Sequence, residues 1–246
     1  MRRLISLVVA IPLVIWVLRQ CRRPSGVLGA RVVRAMNIAH ARLTDWGLTH
    51  LDVAPTATIL DIGCGGGRTV QTLTGLAPQG RVCGVDYSAA SVAASRRTNA
   101  DAIAAGRVFI ALASVAALPF ADASFDIVTA VETHYYWPDL DADVREVFRV
   151  LKPAGRFALI AETVRDGQPN PLYRIVMPLL GAAHLTAADH RGLLTRAGFT
   201  SVTVDVRKNG WICAIGRRPD AFSATTTPAS AVPAAATREH RSTPVR

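Results

Sequence analysis

Apolar and polar positions switch between two periods along the middle of this chain. Short runs rich in β-branched and apolar residues, at 57–62, 81–85, 107–112, 125–131, 155–161, 201–206 and 210–216, carry the pattern of buried strands. Between them, near 68–76, 88–105, 140–151 and 186–197, apolar residues recur at helical spacing. Alternation of strand and helix predicts a parallel sheet with helices on both faces. The last two runs are separated by only about four residues, Arg207 to Gly210, too few for a crossover, so they should pair antiparallel. The expected fold is α/β: a doubly wound, seven-stranded sheet, mostly parallel, ending in an antiparallel C-terminal hairpin.

The pattern differs at the ends. Val32, Val33, Met36, Ala39, His40 and Leu43 recur at helical spacing, followed by Trp46, Leu48 and Leu51, which predicts one or two helices within 24–55. Before them, Leu4 to Leu18 is a 15-residue run broken only by Ser6 and Pro12 and flanked by arginines. As a helix it reaches about 22 Å, against roughly 30 Å of bilayer hydrocarbon. Flanking arginines can snorkel, so segment 1–23 is read as a membrane anchor of marginal length. The competing readings are a helix packed on the body and a start placed too far upstream. The arginine excess after the run would keep the body on the cytosolic side. The 219–246 tail, mostly Ala, Thr, Pro and Ser, has little to bury and is expected to be disordered. Residues 56–218 remain as the main domain.

Charge changes this picture little. The net charge of +10 comes from the ends: residues 1–34 hold seven arginines and no acid, while 35–216 balance 16 basic against 16 acidic residues. A nucleic-acid-binding face on the folded body is therefore not indicated. The four cysteines are widely spaced, and His40, His50, His184 and His190 show no ligand spacing, so neither a disulfide framework nor a metal site is expected.

Chemistry concentrates at Ile59-Leu60-Asp61-Ile62-Gly63-Cys64-Gly65-Gly66-Gly67-Arg68. An apolar strand ends in an acid, then breaks into a loop with glycine at four of five positions, and a helix follows. Such a corner lets backbone approach a ligand, and the helix start offers N–H groups to an anion. A dinucleotide fingerprint would need glycine at 68, where this chain has Arg, and no Gly-Lys-Ser/Thr follows for a phosphate loop. The second strand ends in Asp86, an acid placed to accept both hydrogen bonds of a ribose diol. Ser88 is the better helix cap beside it.

Five stretches together resemble the class I S-adenosylmethionine-dependent methyltransferases, in particular those of the ubiquinone and menaquinone pathways. They are Ile59–Gly67, Val82–Ser88, Leu118-Pro119-Phe120 with Ser124-Phe125-Asp126, Val150–Arg156, and Leu185-Thr186 with Arg196–Phe199. The resemblance implies a Rossmann-like fold and S-adenosylmethionine as cofactor. It places Asp61, Gly63 and Gly65 around the methionine part, Asp86 on the ribose, Tyr87 beside the adenine, and Ser114 and Val115 at the adenine edge. Two positions depart from the pattern. Ser114 stands where Asp is common, and Ala154 replaces a usual glycine, which is tolerable if its φ is negative.

Past the fourth strand, Glu132-Thr133-His134-Tyr135-Tyr136-Trp137-Pro138 should border the transferred methyl. His134 is the candidate base, and Tyr135, Tyr136 and Trp137 are candidate walls of an acceptor pocket. Residues 164–184 are expected to add a substrate wall or lid. The sequence thus points to a small-molecule methyltransferase, perched at a membrane if 4–18 anchors it, with an apolar acceptor. A catalytically inactive relative that only binds the cofactor is the alternative. A nicotinamide-dependent oxidoreductase is a distant third, opposed by Arg68.

Overall fold

Ile59 and Leu60 are adjacent in the first strand and both are fully buried, which requires a sheet covered on both faces. The computed structural model, which describes residues 20, 22–166, 177–178 and 181–220, shows that sheet. Its strands are β1 (Thr58–Ile62), β2 (Arg81–Asp86), β3 (Val108–Leu112), β4 (Phe125–Val131), β5 (Leu151–Ala161), β6 (Thr200–Val206) and β7 (Ile212–Arg217). Their order is β3-β2-β1-β4-β5-β7-β6. The first five run parallel, and β7 lies antiparallel between β5 and β6, as the short last connection requires.

The helices are α1 (Gly26–Ala39), α2 (Ala41–Leu48), α3 (Arg68–Leu76), α4 (Ala89–Thr98), α5 (Ala100–Ala104), α6 (Leu140–Val150) and α7 (Ala187–Arg196). On one face Val144, Val147 and Val150 of α6 and Leu193 and Leu194 of α7 cover Leu60, Val128 and Phe157. On the other, Leu43 and Trp46 of α2, Val70 and Leu73 of α3 and Val92 of α4 cover Ile59, Val82 and Ile160. Each such side chain contributes about 1.5–3 kcal/mol on burial, so the two apolar layers supply most of the favourable energy.

Two expectations change in detail. The helix expected over 88–105 breaks at Asn99, whose Nδ2 donates to the Ser95 carbonyl at 2.9 Å and the Gly67 carbonyl at 3.0 Å. The amide that ends α4 thereby also holds the glycine loop. Strand β5 starts earlier than expected, directly after α6, because Lys152–Gly155 form a bulge: Phe125 pairs with Leu151, but Ile127 pairs with Arg156. The anchor expected over 4–18, the tail past 220 and much of 164–184 lie outside the described residues. Among the described residues no helix is long and apolar enough to cross a membrane.

Strand β1 sits between β2 and β4, so successive connections leave it in opposite directions. This switch point opens a crevice at the carboxyl ends of β1, β2 and β4, where doubly wound sheets bind ligands.

Ala154, in the bulge, has φ +65°, so the condition of a negative φ is not met. The turn is held by Ala154 N–H donating to Arg218 O (3.1 Å) and Arg218 N–H donating to Gly155 O (2.8 Å). An L-residue in this region costs about 1–2 kcal/mol. Replacing Ala154 by Gly removes that strain but adds unfolded-chain entropy worth about 0.4–1 kcal/mol. The expected net result is a gain of roughly 0.5–1 kcal/mol, read from the urea midpoint, and a lowered midpoint would show the strain to be absent.

Candidate active site

The glycine corner is built by satisfying its own amides. Gly63 N–H and Cys64 N–H both donate to the Val85 carbonyl, at 2.8 and 2.9 Å. Gly65 N–H donates to Asp86 Oδ2 at 3.0 Å, and Gly67 N–H to the Cys64 carbonyl at 2.8 Å. Four of the loop's amides are thus already engaged, which leaves the start of α3 as the remaining part of the anion site expected here. Side chains are excluded for steric reasons. A Cβ on Gly63, whose φ is +72°, would stand 2.3 Å from Thr133 Cγ2, and one on Gly66 would stand 2.2 Å from Asn37 Nδ2. The loop is therefore pressed between the exit of β4 and helix α1. Arg68 forms a two-pronged pair with Asp45, Nη1 to Oδ1 at 3.1 Å and Nη2 to Oδ2 at 3.0 Å, which ties α3 to α2.

A cavity of about 240 Å³ lies over this corner, and Gly63, Gly65, Asp86, Tyr87, Ser114 and Val115 all line it. Asp86 is 7% exposed, and burial raises its pKa against the pull of its hydrogen bonds. Its Oδ1 accepts from Ser88 N–H at 2.8 Å while Oδ2 holds Gly65. The Ser91 side chain also hydrogen-bonds this carboxylate, so three of the four lone-pair directions on its oxygens are used and one is left for a ligand. Tyr87 closes one side: its hydroxyl donates to the Arg22 carbonyl, and the Arg23 guanidinium lies 5.8 Å over its ring. Ser114 Oγ accepts from Ala116 N–H at 3.2 Å, capping the turn Val115–Ala117.

Asp61 is the exception. It does not line the cavity; it is 2% exposed, and its Oδ1 accepts the Thr129 hydroxyl at 2.7 Å, so it ties β1 to β4. Burial pushes its pKa up to about 7, and nearby Asp86 adds to the shift. Direct contact with a ligand, as the family resemblance implied, is replaced by a structural tie behind the loop.

The segment after β4 turns abruptly. Glu132 adopts φ +60°, and the next residues form a short 3-10 turn, His134–Tyr136. This rotation sends Tyr136 and Trp137 to the cavity wall and buries His134 and Tyr135 away from it. His134 is completely buried, and its Nε2 lies 3.3 Å from His190 Nε2. His190 Nδ1 sits 2.8 Å from the Thr186 carbonyl, which can only accept, so His190 carries its proton there. His134 must then donate from Nε2, and its Nδ1 is buried without a partner. The expected base at His134 is therefore corrected: it neither reaches the cavity nor has a free lone pair facing it. Tyr135 likewise leaves the expected pocket set, its hydroxyl donating to Glu132 Oε1 at 3.1 Å. The sequence reading placed Glu132 here but overlooked Met36, Asn37 and His40, which also line the cavity. The amphipathic pattern of 32–43 signalled a helix, but not that one end of it would roof the site.

A nucleoside diol fits Asp86, whereas a loop whose amides are already used offers little to a diphosphate. Residues 60–159 match a family described as a methyltransferase domain. Over these residues the chain is similar to methyltransferase domains. The chain is 32% identical over 171 residues to an O-methyltransferase of Penicillium expansum, covering 68% of this chain and 61% of that protein. It is 31% identical over 141 residues to the demethylmenaquinone methyltransferase of Lactiplantibacillus plantarum, covering 54% and 59%. The chain thus spans less than two thirds of the length of either relative. The fold matches a chain in the complex of the Haloferax volcanii Trm112 methyltransferase activator with a methyltransferase, with TM-score 0.68, 20% identity and coverage of 76% and 93%. The matches include both an O-methyltransferase and a quinone-pathway enzyme, so they do not single out the quinone branch.

Some of the motifs that carry the resemblance turn out to be structural. Asp126 Oδ2 accepts Thr58 N–H at 2.8 Å and pairs with Lys152 Nζ at 2.9 Å, at the end of the sheet opposite the cavity. The buried pair His134–His190 sets a pH dependence. Burial lowers both pKa values below the usual 6.5, so the fold favours the neutral rings. Their contribution is present above pH about 6.5 and is lost as the pH falls below it. Unfolding free energy of wild type should fall more steeply from pH 8 to pH 5.5 than that of His190→Gln. Parallel slopes would show that the histidine pair is not the acid-sensitive element.

Proposed function

We propose that this chain binds S-adenosylmethionine in the cavity and transfers its methyl group to a hydroxyl of a small, largely apolar molecule. The observation that carries this reading is Asp86: a carboxylate fixed by Gly65 and Ser88 amides at the end of β2, facing a cavity whose glycine loop leaves little for phosphate. Asp86 would take the ribose hydroxyls, Ser114 and Val115 the adenine edge, and Tyr87 its flank. Gly63 and Gly65 would border the methionine part, and the faces of Tyr136 and Trp137 would favour the sulfonium.

In the transfer, the acceptor oxygen's electron pair forms the new O–CH3 bond as the S–CH3 bond breaks; the sulfur keeps that pair, and the hydroxyl's proton passes to water. The sulfonium is already activated, so holding oxygen, carbon and sulfur in line supplies much of the acceleration. A hydroxyl acceptor is supported by the Penicillium relative's name, and an apolar one by Met36, Val131 and Trp137 in the wall. Membrane association through residues 4–18 belongs to this reading on sequence grounds alone. The alternative of an inactive, cofactor-binding relative draws on Ser114, which lines the cavity, and on Ala154, which lies in the bulge at the start of β5.

Titration calorimetry with S-adenosylmethionine and with NADH tests the reading. One-to-one binding of the former alone is expected, and binding of NADH alone or of neither would refute it. Asp86→Asn keeps one acceptor oxygen of two. A hydrogen bond to a charged group is worth about 1.5–3 kcal/mol, so affinity should drop roughly 10- to 100-fold.

A further inference from the structure

We infer that His40, Glu132 and Glu162 form a site for a divalent transition-metal ion at the acceptor end of the cavity. One ligand atom from each lies within 4.8 Å of the others, and the three come from distant parts of the chain. His40 stands at the break between α1 and α2, with φ −87° and ψ 2°. Glu132 and Glu162 follow the adjacent strands β4 and β5, where Glu132 N–H donates to the Ile160 carbonyl at 2.9 Å.

The Glu132 side chain is 9% exposed and aimed into the cluster. Its Oε1 accepts from Tyr135 and from the Glu162 amide, and its Oε2 has His40 Nε2 at 3.9 Å, outside hydrogen-bonding distance. An imidazole and two carboxyl groups converging on one point are donors for a cation.

One nitrogen and two carboxylate donors suit Mn2+, Fe2+, Co2+ or Zn2+. Metal–donor bonds of about 2.0–2.2 Å need the donors nearer than they now stand, a contraction that side-chain rotation can supply. His40 and Glu132 line the cavity, so coordination positions left by the protein would face an acceptor. A hydroxyl bound there would release its proton to water more readily, leaving its electron pair to attack the methyl carbon. That use of the ion rests on the methyltransferase reading; the binding of the ion does not.

The test uses the full chain stripped with EDTA and titrated with MnCl2, with free Mn2+ followed by electron paramagnetic resonance. One ion per chain is expected, with affinity reduced at least 10-fold in each of Glu162→Gln, Glu132→Gln and His40→Gln. His50→Gln, which alters the separate His50–Asp205 pair, should bind as wild type does. Absence of saturable binding, or binding that all three variants retain, overturns the proposal. S-adenosylmethionine calorimetry on the same samples separates the two readings. Cofactor binding without Mn2+ binding sinks this site alone, whereas Mn2+ binding without cofactor binding sinks the proposed function and leaves the site standing. Retained cofactor binding in the variants shows that they are folded.

Discussion

The carboxylate of Asp86 is the joint on which the site depends. It ends β2, yet it holds the amide of Gly65 in the loop after β1 and that of Ser88 at the start of α4. Three chain segments therefore share one charged group whose position is fixed by two charge-assisted bonds, each worth roughly twice a neutral one. Without it, two buried amides would lose their acceptor and the glycine loop would lose its anchor to the neighbouring strand. The loop cannot compensate elsewhere, because Thr133 bears on Gly63 from one side and Asn37 on Gly66 from another. Ligand recognition and loop geometry are thus one constraint, and the group that would meet a ribose also shapes the floor beneath it.

Acidic groups at the ends of β1, β2 and β4 share a common cost. Burial raises Asp61 to about 7 and Glu132 to about 8, and raises Asp86 too. A carboxyl whose folded pKa exceeds its unfolded one favours folding most when protonated, so stability from these groups is lost as pH climbs from about 4 toward 7 or 8. Hydrogen bonds from Thr129 to Asp61 and from Tyr135 to Glu132 offset part of that cost without removing it. Positions that work against stability in this way cluster where a ligand is bound. A positively charged sulfonium nearby would reverse the balance, so on the proposed function the empty site is the strained state.

The central strands β1 and β4 were readable because they are buried on both faces and so appear as near-continuous apolar runs, whereas the exposed edge strand β6 was readable from its alternating β-branched residues. The glycine loop was readable because the backbone at Gly63 and Gly67, with φ +72° and +84° and close neighbours, favours glycine. Asp86 was readable because strand length and the β2 exit fix its place. What failed was orientation after β4. Linear adjacency put His134 in the pocket, but Glu132 with φ +60° and the 3-10 turn after it rotate the chain, so Tyr136 and Trp137 face the cavity and His134 faces His190. Nothing in a list of residue types encodes that rotation, since the positive φ falls on a residue that gives no warning of it. Asp61 failed for another reason: its partner, Thr129, is set by strand register, which pairs Asp61 with Thr129 across β1 and β4.

The division between matched and unmatched chain explains why the donor is easier to infer than the acceptor. The family match covers 60–159, which includes the glycine loop, Asp86, Ser114 and the turn after β4. Met36, Asn37 and His40 come before it and Glu162 comes after it, yet the first three line the cavity and His40 and Glu162 meet at Glu132. Helices α1 and α2 hold these residues through contacts of their own, including Leu43 and Trp46 in the core and the Arg68–Asp45 pair. They can therefore change independently of the glycine loop, which on the proposed function meets the cofactor, provided their apolar faces still cover Ile59 and Ile160. A common cofactor floor with a separately supported roof lets one fold serve many acceptors, and the roof of this chain is where its selectivity must be sought.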